Sequence, residues 1–247
     1  MPIPAYCRPA AYEAFARAVP HVETTRGLFR GAYALALHER PLANVAEGEA
    51  MVDSLAEAVR SRVRSPSAEA RLAHLHDVLF DVVGLRGNEE DYYNPANSYL
   101  PDVLRTRRGL PITLTLVYKC VAEGVGLTVH GINAPGHFLA AVESNDAAQV
   151  VRGSPDPARA VARSGDRPQH SWMYVDPFYG GGLLTENDVF ARIAETTGRD
   201  VRRSRALLAR ATGRQWLERM LLNLQAAFAT LGRERDLLAM QELAALL

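Results

Sequence analysis

The run GLPITLTLVYKCVAEGVG, residues 109–126, constrains the fold more than any other part of the chain. Pro111 suits the first turn of a helix, because its missing N–H has no intrahelical partner there. From Ile112 onward, apolar side chains fall on nearly all sides of a 3.6-residue period. Such a helix belongs in the middle of a core. Gly124 or Gly126 stops it. A helix buried all round has to be wrapped, and the rest of the chain must supply the wrapping.

Upstream, the patterning is helical. AYEAFARAV and YALALHERPLANVAEGEAMVDSLAEAVRSRV carry apolar residues at helical spacing, and SPSAEARLAHLHDVLFDVVGL repeats this strongly. In that last stretch Leu72, Leu75, Leu79, Val82 and Val83 mark one face, Ser65 or Ser67 can cap its start, and Gly84 and Gly87 end it. The polar and aromatic segment RGNEEDYYNPANSYLPDVLRTRRG reads as loop with a short helix near Leu100–Arg107.

Downstream, LTVHGIN (127–133), HFLAAVE (137–143) and SWMYVDP (171–177) read as strands. Between the last two lies a Ser-, Asp-, Pro- and Arg-rich stretch, 144–170, expected to be a flexible insertion. GGG at 180–182 has neither the spacing nor the lysine of a phosphate loop and reads as a tight turn. The helix that follows is expected to be capped at Thr185, with Asp188 in the capping-box position. The C-terminal stretch predicts two antiparallel helices turning at Gly232. Trp216, Met220, Leu221, Leu224, Phe228 and Leu231 line the first. Helices, one central helix, strands and helices again give an α+β chain. The expected divisions are a helical part at 1–65, a core at 66–200 and a helical hairpin at 201–247.

Charge narrows the function classes. Lys+Arg and Asp+Glu cancel at 28 each, so no global field argues for nucleic acid or an anionic membrane. Seven arginines between 199 and 219 read as a solvated face, with a phosphate or acidic-partner patch as the alternative. Two cysteines, Cys7 and Cys120, make no disulfide framework and no zinc cluster. No signal-like N-terminus and no membrane-length apolar run occur, so the expected location is cytoplasmic.

A cysteine acyl-transfer site needs its thiol at a helix N-terminus, a histidine on an adjacent strand, and a carboxylate on the next strand to orient the imidazole. The helix start at Pro111, His137 at the head of one strand and Asp176 at the end of the next supply that frame. Cys120 does not complete it. It lies nine residues past Pro111, about two and a half turns down an apolar helix, where burial raises rather than lowers a thiol pKa. Thr113, in the first turn, is the remaining hydroxyl candidate, although such a threonine more often bonds back to the helix backbone. A metal triad of His137, Asp176 and an acid from Glu89, Glu90 or Asp91 has no tight ligand spacing behind it. His74 and His76 lie about 200° apart on a helix and cannot easily share an ion.

GLRGNEEDYYNPANSYLPDVLRTRRGLPITLTLVY, PGHFLAAVE, YVDPFYGGGLLT and RMLLNLQAAF occur in this order. Together they resemble the SirB-family branch of the transglutaminase-like superfamily, over roughly residues 30–247. The resemblance implies a papain-like core bearing a Cys–His–Asp triad, with the histidine at His137 and the aspartate at Asp176. The cysteine position falls at or next to Pro111, where there is no thiol, and members of this branch share that loss. Some also carry a tetratricopeptide-like C-terminal segment. A retained His137/Asp176 pair without a thiol makes the expected function that of a pseudoenzyme in a regulatory role, with a cleft lined by Arg108, Asn97, Tyr92 and Tyr93 that binds a peptide or small amide. A protein partner for the C-terminal helices is expected too, and no cofactor, membrane or nucleic acid. The alternative is a hydrolase or acyl transferase using Thr113, a water activated by His137, or a metal. A third reading is an adaptor that works through its C-terminal helices alone.

Overall fold

The structure, a computed structural model, describes residues 3–144, 171–199 and 202–247. Four helices come first: α1 (Pro9–Ala18), α2 (Thr25–Ala36), α3 (Val45–Arg60) and α4 (Ala68–His76). Their starts follow local chemistry. Thr24, Asn44 and Ser67 each accept a backbone N–H of the first turn they cap, from Gly27 (3.0 Å), Ala46 (3.0 Å) and Ala70 (3.1 Å). The long apolar pattern of 33–63 is therefore broken at 37–44, where Pro41 cannot continue a helix and Asn44 restarts one.

α4 runs directly into a wider π turn, Asp77–Val82. The expected buried stripe fails there. Leu72, Leu75 and Leu79 are buried, but Val82 is 57% exposed and Val83 half-buried, because a π turn rotates later residues off a 3.6-residue face. Gly84, at φ +74°, ends the segment. Gly87 does not act as a stop. It lies in β1 (Arg86–Gly87), which pairs in parallel with β2 (Arg108–Gly109) across the short helix α5 (Leu100–Thr106).

The central helix α6 runs Pro111–Gly124, and every residue from Pro111 to Tyr118 is buried. One hydrophobic cluster surrounds it and extends from Cys7 and Phe15, through Leu35, Val59 and Leu79, to Trp216, Phe228 and Leu243. The N-terminal and C-terminal helical segments thus share the core of the central part. Their ends are also tied directly: the Glu242 carboxylate accepts the N–H groups of Ala5 (2.8 Å), Tyr6 (3.1 Å) and Cys7 (2.8 Å).

On the other side of α6 lies an antiparallel sheet of β3 (Val129–Ile132), β4 (Leu139–Ser144), β5 (Ser171–Asp176) and β6 (Gly182–Leu184), in that order. β6 begins inside the glycine run that composition assigned to a turn. Gly180 and Gly181 make the turn at φ +71° and +77°, and Gly182 already pairs with Asp176. Side chains alternate across the sheet. Ala140, Val142 and Val175 join the main core, whereas Leu139, Ala141 and Tyr174 pack with Val189, Phe190 and Ile193 of α7 (Glu186–Thr197). The sheet is covered on both faces, which explains why FLAAV shows no polar alternation. Thr185 and Asp188 form the capping box of α7.

The chain closes with α8 (Gly213–Thr230) and α9 (Glu234–Ala244), turning at Gly232 (φ +68°). Trp216 to Phe228 line α8 as expected. Leu231 does not, since it falls after the last turn and is 52% exposed. The expected insertion at 144–170, beyond its first residue, lies outside the described residues.

Candidate functional site

Two neighbouring strands bring His137 and Asp176 together. In the β4–β5 register Ala140 faces Val175, so the residues just before β4 lie beside the last residue of β5. The turn into β4 needs Gly136 at φ +73°, and the His137 N–H closes it on the Ala134 carbonyl (3.1 Å). Arg219 of α8 grips the same turn, donating to Asn133 Oδ1 (2.6 Å) and the Ala134 carbonyl (3.2 Å).

His137 Nε2 and Asp176 Oδ2 are 2.9 Å apart, and both residues are buried, at 3% and 1% exposure. A carboxylate oxygen accepts, so Nε2 is the donor of this bond. Asp176 Oδ1 accepts the Phe178 N–H (3.1 Å), capping the short Pro177–Tyr179 turn, and Arg192 Nε stands 3.7 Å from Oδ2. The rings of Phe178 and Tyr179 each lie 6.1 Å from the imidazole, the first edge-on and the second tilted by 30°. Arg192 covers the Tyr179 ring at 4.1 Å. Phe178, Tyr179, Arg192 and Arg219 were not among the expected site residues. The quoted DPFYGG stretch held the two rings, but nothing in the sequence marks which helical arginine returns to the aspartate.

Tyr92 and Tyr93 do reach this neighbourhood. Their rings are 5.5 Å apart and T-shaped, Tyr92 is 6.2 Å from Phe178, and the two are 38% and 59% exposed. Tyr93, Tyr92, Phe178 and Tyr179 thus form a continuous aromatic strip beside the buried pair. Arg108 is half-buried on β2, opposite Arg86.

Two expected site residues have other work. Asn97 is 3% exposed; its Nδ2 donates to the carbonyls of Asp91 (2.6 Å) and Tyr92 (3.2 Å), and its Oδ1 accepts from Asn88 Nδ2 (2.9 Å). It shapes the loop that presents the tyrosines and does not line a cleft. Thr113 has no exposed surface, and its hydroxyl proton is directed at the carbonyls of Asn97 (2.8 Å) and Leu110 (3.0 Å). A buried hydroxyl already donating to the backbone is not poised as a nucleophile.

Neither thiol is activated. Burial first, then the nearby carboxylate of Glu242 for Cys7 and of Glu123 for Cys120, pushes each up to about 12. Among the described residues no group of three His, Cys, Asp or Glu side chains comes together to hold a metal ion. His76 is instead bonded to the Tyr118 hydroxyl (3.0 Å), and burial lowers its pKa. The arginine run is not a plain solvated face. Arg203 bonds Asn187 (2.8 Å), and Arg210 bonds Glu143 (3.0 Å) while covering Trp172 at 4.7 Å. Two surface cavities, of about 710 and 250 Å3, are lined by neither His137 nor Asp176. No helix among the described residues is long and apolar enough to cross a membrane.

The family model described as transglutaminase-like superfamily matches residues 46–222. A UPF0162 protein of Xylella fastidiosa (strain 9a5c) is 30% identical over 215 residues, covering 85% of this chain and 68% of that protein. A UPF0162 protein of Vibrio cholerae is 25% identical over 126 residues, covering 51% and 38%. The F-box only protein 21 of Mus musculus is 44% identical over 62 residues, covering 25% of this chain and 10% of that protein. No solved structure matches the chain significantly.

Proposed function

The chain belongs to the transglutaminase-like superfamily, and from that premise we propose that it is a non-catalytic member whose altered cleft binds a peptide or small amide in a regulatory role. The observation that carries this reading is the sealed His137–Asp176 pair, joined at 2.9 Å beneath Phe178 and Tyr179. A general base must come within hydrogen-bond reach of the proton it removes. Here the imidazole is 3% exposed, the helix tip at Pro111 bears no sulfur, and both thiols of the chain are held neutral by burial. The pair acts as a pin between two strands, through the Nε2–Oδ2 bond and the Phe178 N–H on Oδ1.

The aromatic strip supports the binding half of the proposal. Tyrosine offers a large apolar face and a hydroxyl at little entropic cost, which is why it anchors peptide-binding surfaces. Three tyrosines here are more than one-third exposed, beside Arg192.

Incubation with a glutamine-donor peptide and a primary amine tests the first half. No transfer is expected. Turnover that disappears in His137→Ala yet persists in the Cys7→Ser/Cys120→Ser double variant would overturn the non-catalytic reading. A random-peptide array tests the second half: bound sequences are expected to be lost on Tyr93→Ala, and unchanged capture by that variant speaks against the strip.

A further inference from the structure

A second candidate site lies apart from the strand pair. The cavity of about 710 Å3 opens between α1, the Val19–His21 turn, α2 and the start of α3. Its floor is small and apolar, including Ala18, Ala34, Leu37 and Val45. Its charged lining is of one sign: Arg17, Arg26 and Arg30 line it, and no Asp or Glu does. The volume falls in the range of pockets that enclose small molecules.

Two of these arginines are held ready. Glu49 of α3 accepts from Arg26 through Nε (3.1 Å) and Nη2 (3.0 Å), and from Arg30 through Nε (2.7 Å) and Nη2 (3.3 Å). One carboxylate thus orients two guanidinium groups that one helical turn would otherwise leave repelling each other. Both have a further Nη1 edge, for which the described residues provide no acceptor. The pair and Glu49 together carry one net positive charge, and Asp53 of α3 acts on Arg26 as well, so the free N–H edges rather than net charge are what the site offers an anion. Arg17 is partly offset by Glu13 at 3.6 Å, both well exposed. The Arg26 and Arg30 side chains are 71% and 48% exposed, and with Nε and Nη2 on Glu49 each leaves its Nη1 edge open to an arriving anion.

We propose that this cavity binds a small amphiphilic anion, with its carboxylate or phosphate head on Arg26 and Arg30 and its apolar body on the alanine and leucine floor. The proposal is independent of the aromatic strip and holds whether or not that strip binds peptides.

Decanoate is a suitable probe, titrated calorimetrically into the full chain beside decanol and decyltrimethylammonium. Saturable decanoate binding is expected, weakened about tenfold by Arg26→Gln or Arg30→Gln, since one charge-assisted hydrogen bond is lost. Arg30→Lys keeps the charge but not the fork, and an intermediate loss is expected. Unchanged melting temperatures show that the variants remain folded. Co-sedimentation with phosphatidylcholine vesicles containing phosphatidylglycerol distinguishes the source of the ligand. Arginine-dependent sedimentation supports a lipid headgroup, and decanoate binding without sedimentation supports a free anion. Equal binding of the three head groups, indifference to both Gln variants, or no binding of decanoate overturns the proposal.

Discussion

Replacing His137 with alanine separates a structural pin from a working acid–base pair. The substitution removes the 2.9 Å bond to Asp176 and opens a void beneath Phe178 and Tyr179. It leaves a carboxylate with 1% exposure. Breaking a buried pair by deleting one partner costs about 3–5 kcal/mol. Asp176 keeps two of its supports, the Phe178 N–H at 3.1 Å and Arg192 at 3.7 Å, which places the expected cost at the lower end, about 3 kcal/mol. For a chain of this size each kcal/mol moves the melting point by about 2–4 °C, so a fall of roughly 6–12 °C is expected. Urea unfolding monitored by far-ultraviolet circular dichroism measures it, as a lower Cm at constant m value. Asp176→Asn is expected to cost less, because its side-chain oxygen still caps the Pro177–Tyr179 turn. Groups kept for chemistry are commonly neutral or stabilising to remove. A His137→Ala protein that loses less than about 1 kcal/mol would refute the pin.

Two further outcomes follow from the packing. Burial raises the Cys7 and Cys120 thiols from 9.0 to about 12, so the neutral form is favoured in the folded state. Stability from that source is whole below pH 9 and drains away as pH rises toward 12; Cys7→Ala and Cys120→Ala are expected to flatten that alkaline decline, read from urea unfolding across the range, and a decline as steep as before contradicts the account. Gly87→Ala would place a methyl carbon 2.5 Å from the buried Phe178 ring, and a loss of about 1–3 kcal/mol is expected in the same assay, whereas an unchanged midpoint shows that the ring has room to move.

The sequence by itself determined the elements whose signals are local. Pro111, apolar residues on nearly all sides of the run behind it and a stop at Gly124 or Gly126 specify a buried helix, because no other arrangement hides apolar surface on nearly every side. Thr185 with Asp188, and Gly232 between two amphipathic runs, act within a few residues of themselves, so those cap and turn positions were legible without the fold. His137 and Asp176 were legible as a pair through resemblance and strand order. Their burial was not. Whether a histidine faces solvent depends on Phe178, Tyr179 and Arg192 arriving from a turn and a helix that no short-range pattern connects to it. The same holds for Asn97 and Thr113, polar residues that suggested a cleft. Asn97 is occupied by carbonyls five and six residues back in its own loop, and Thr113 by Leu110 one turn back and by Asn97, so the loop's folding onto the helix start decided what these groups do. The π turn after His76 moved Val82 into solvent by a shift of register invisible to periodicity. Local sequence chose the helices and strands, and tertiary packing decided which polar groups remained free to meet anything else, because hydrogen-bond capacity is spent on whatever neighbour the fold provides.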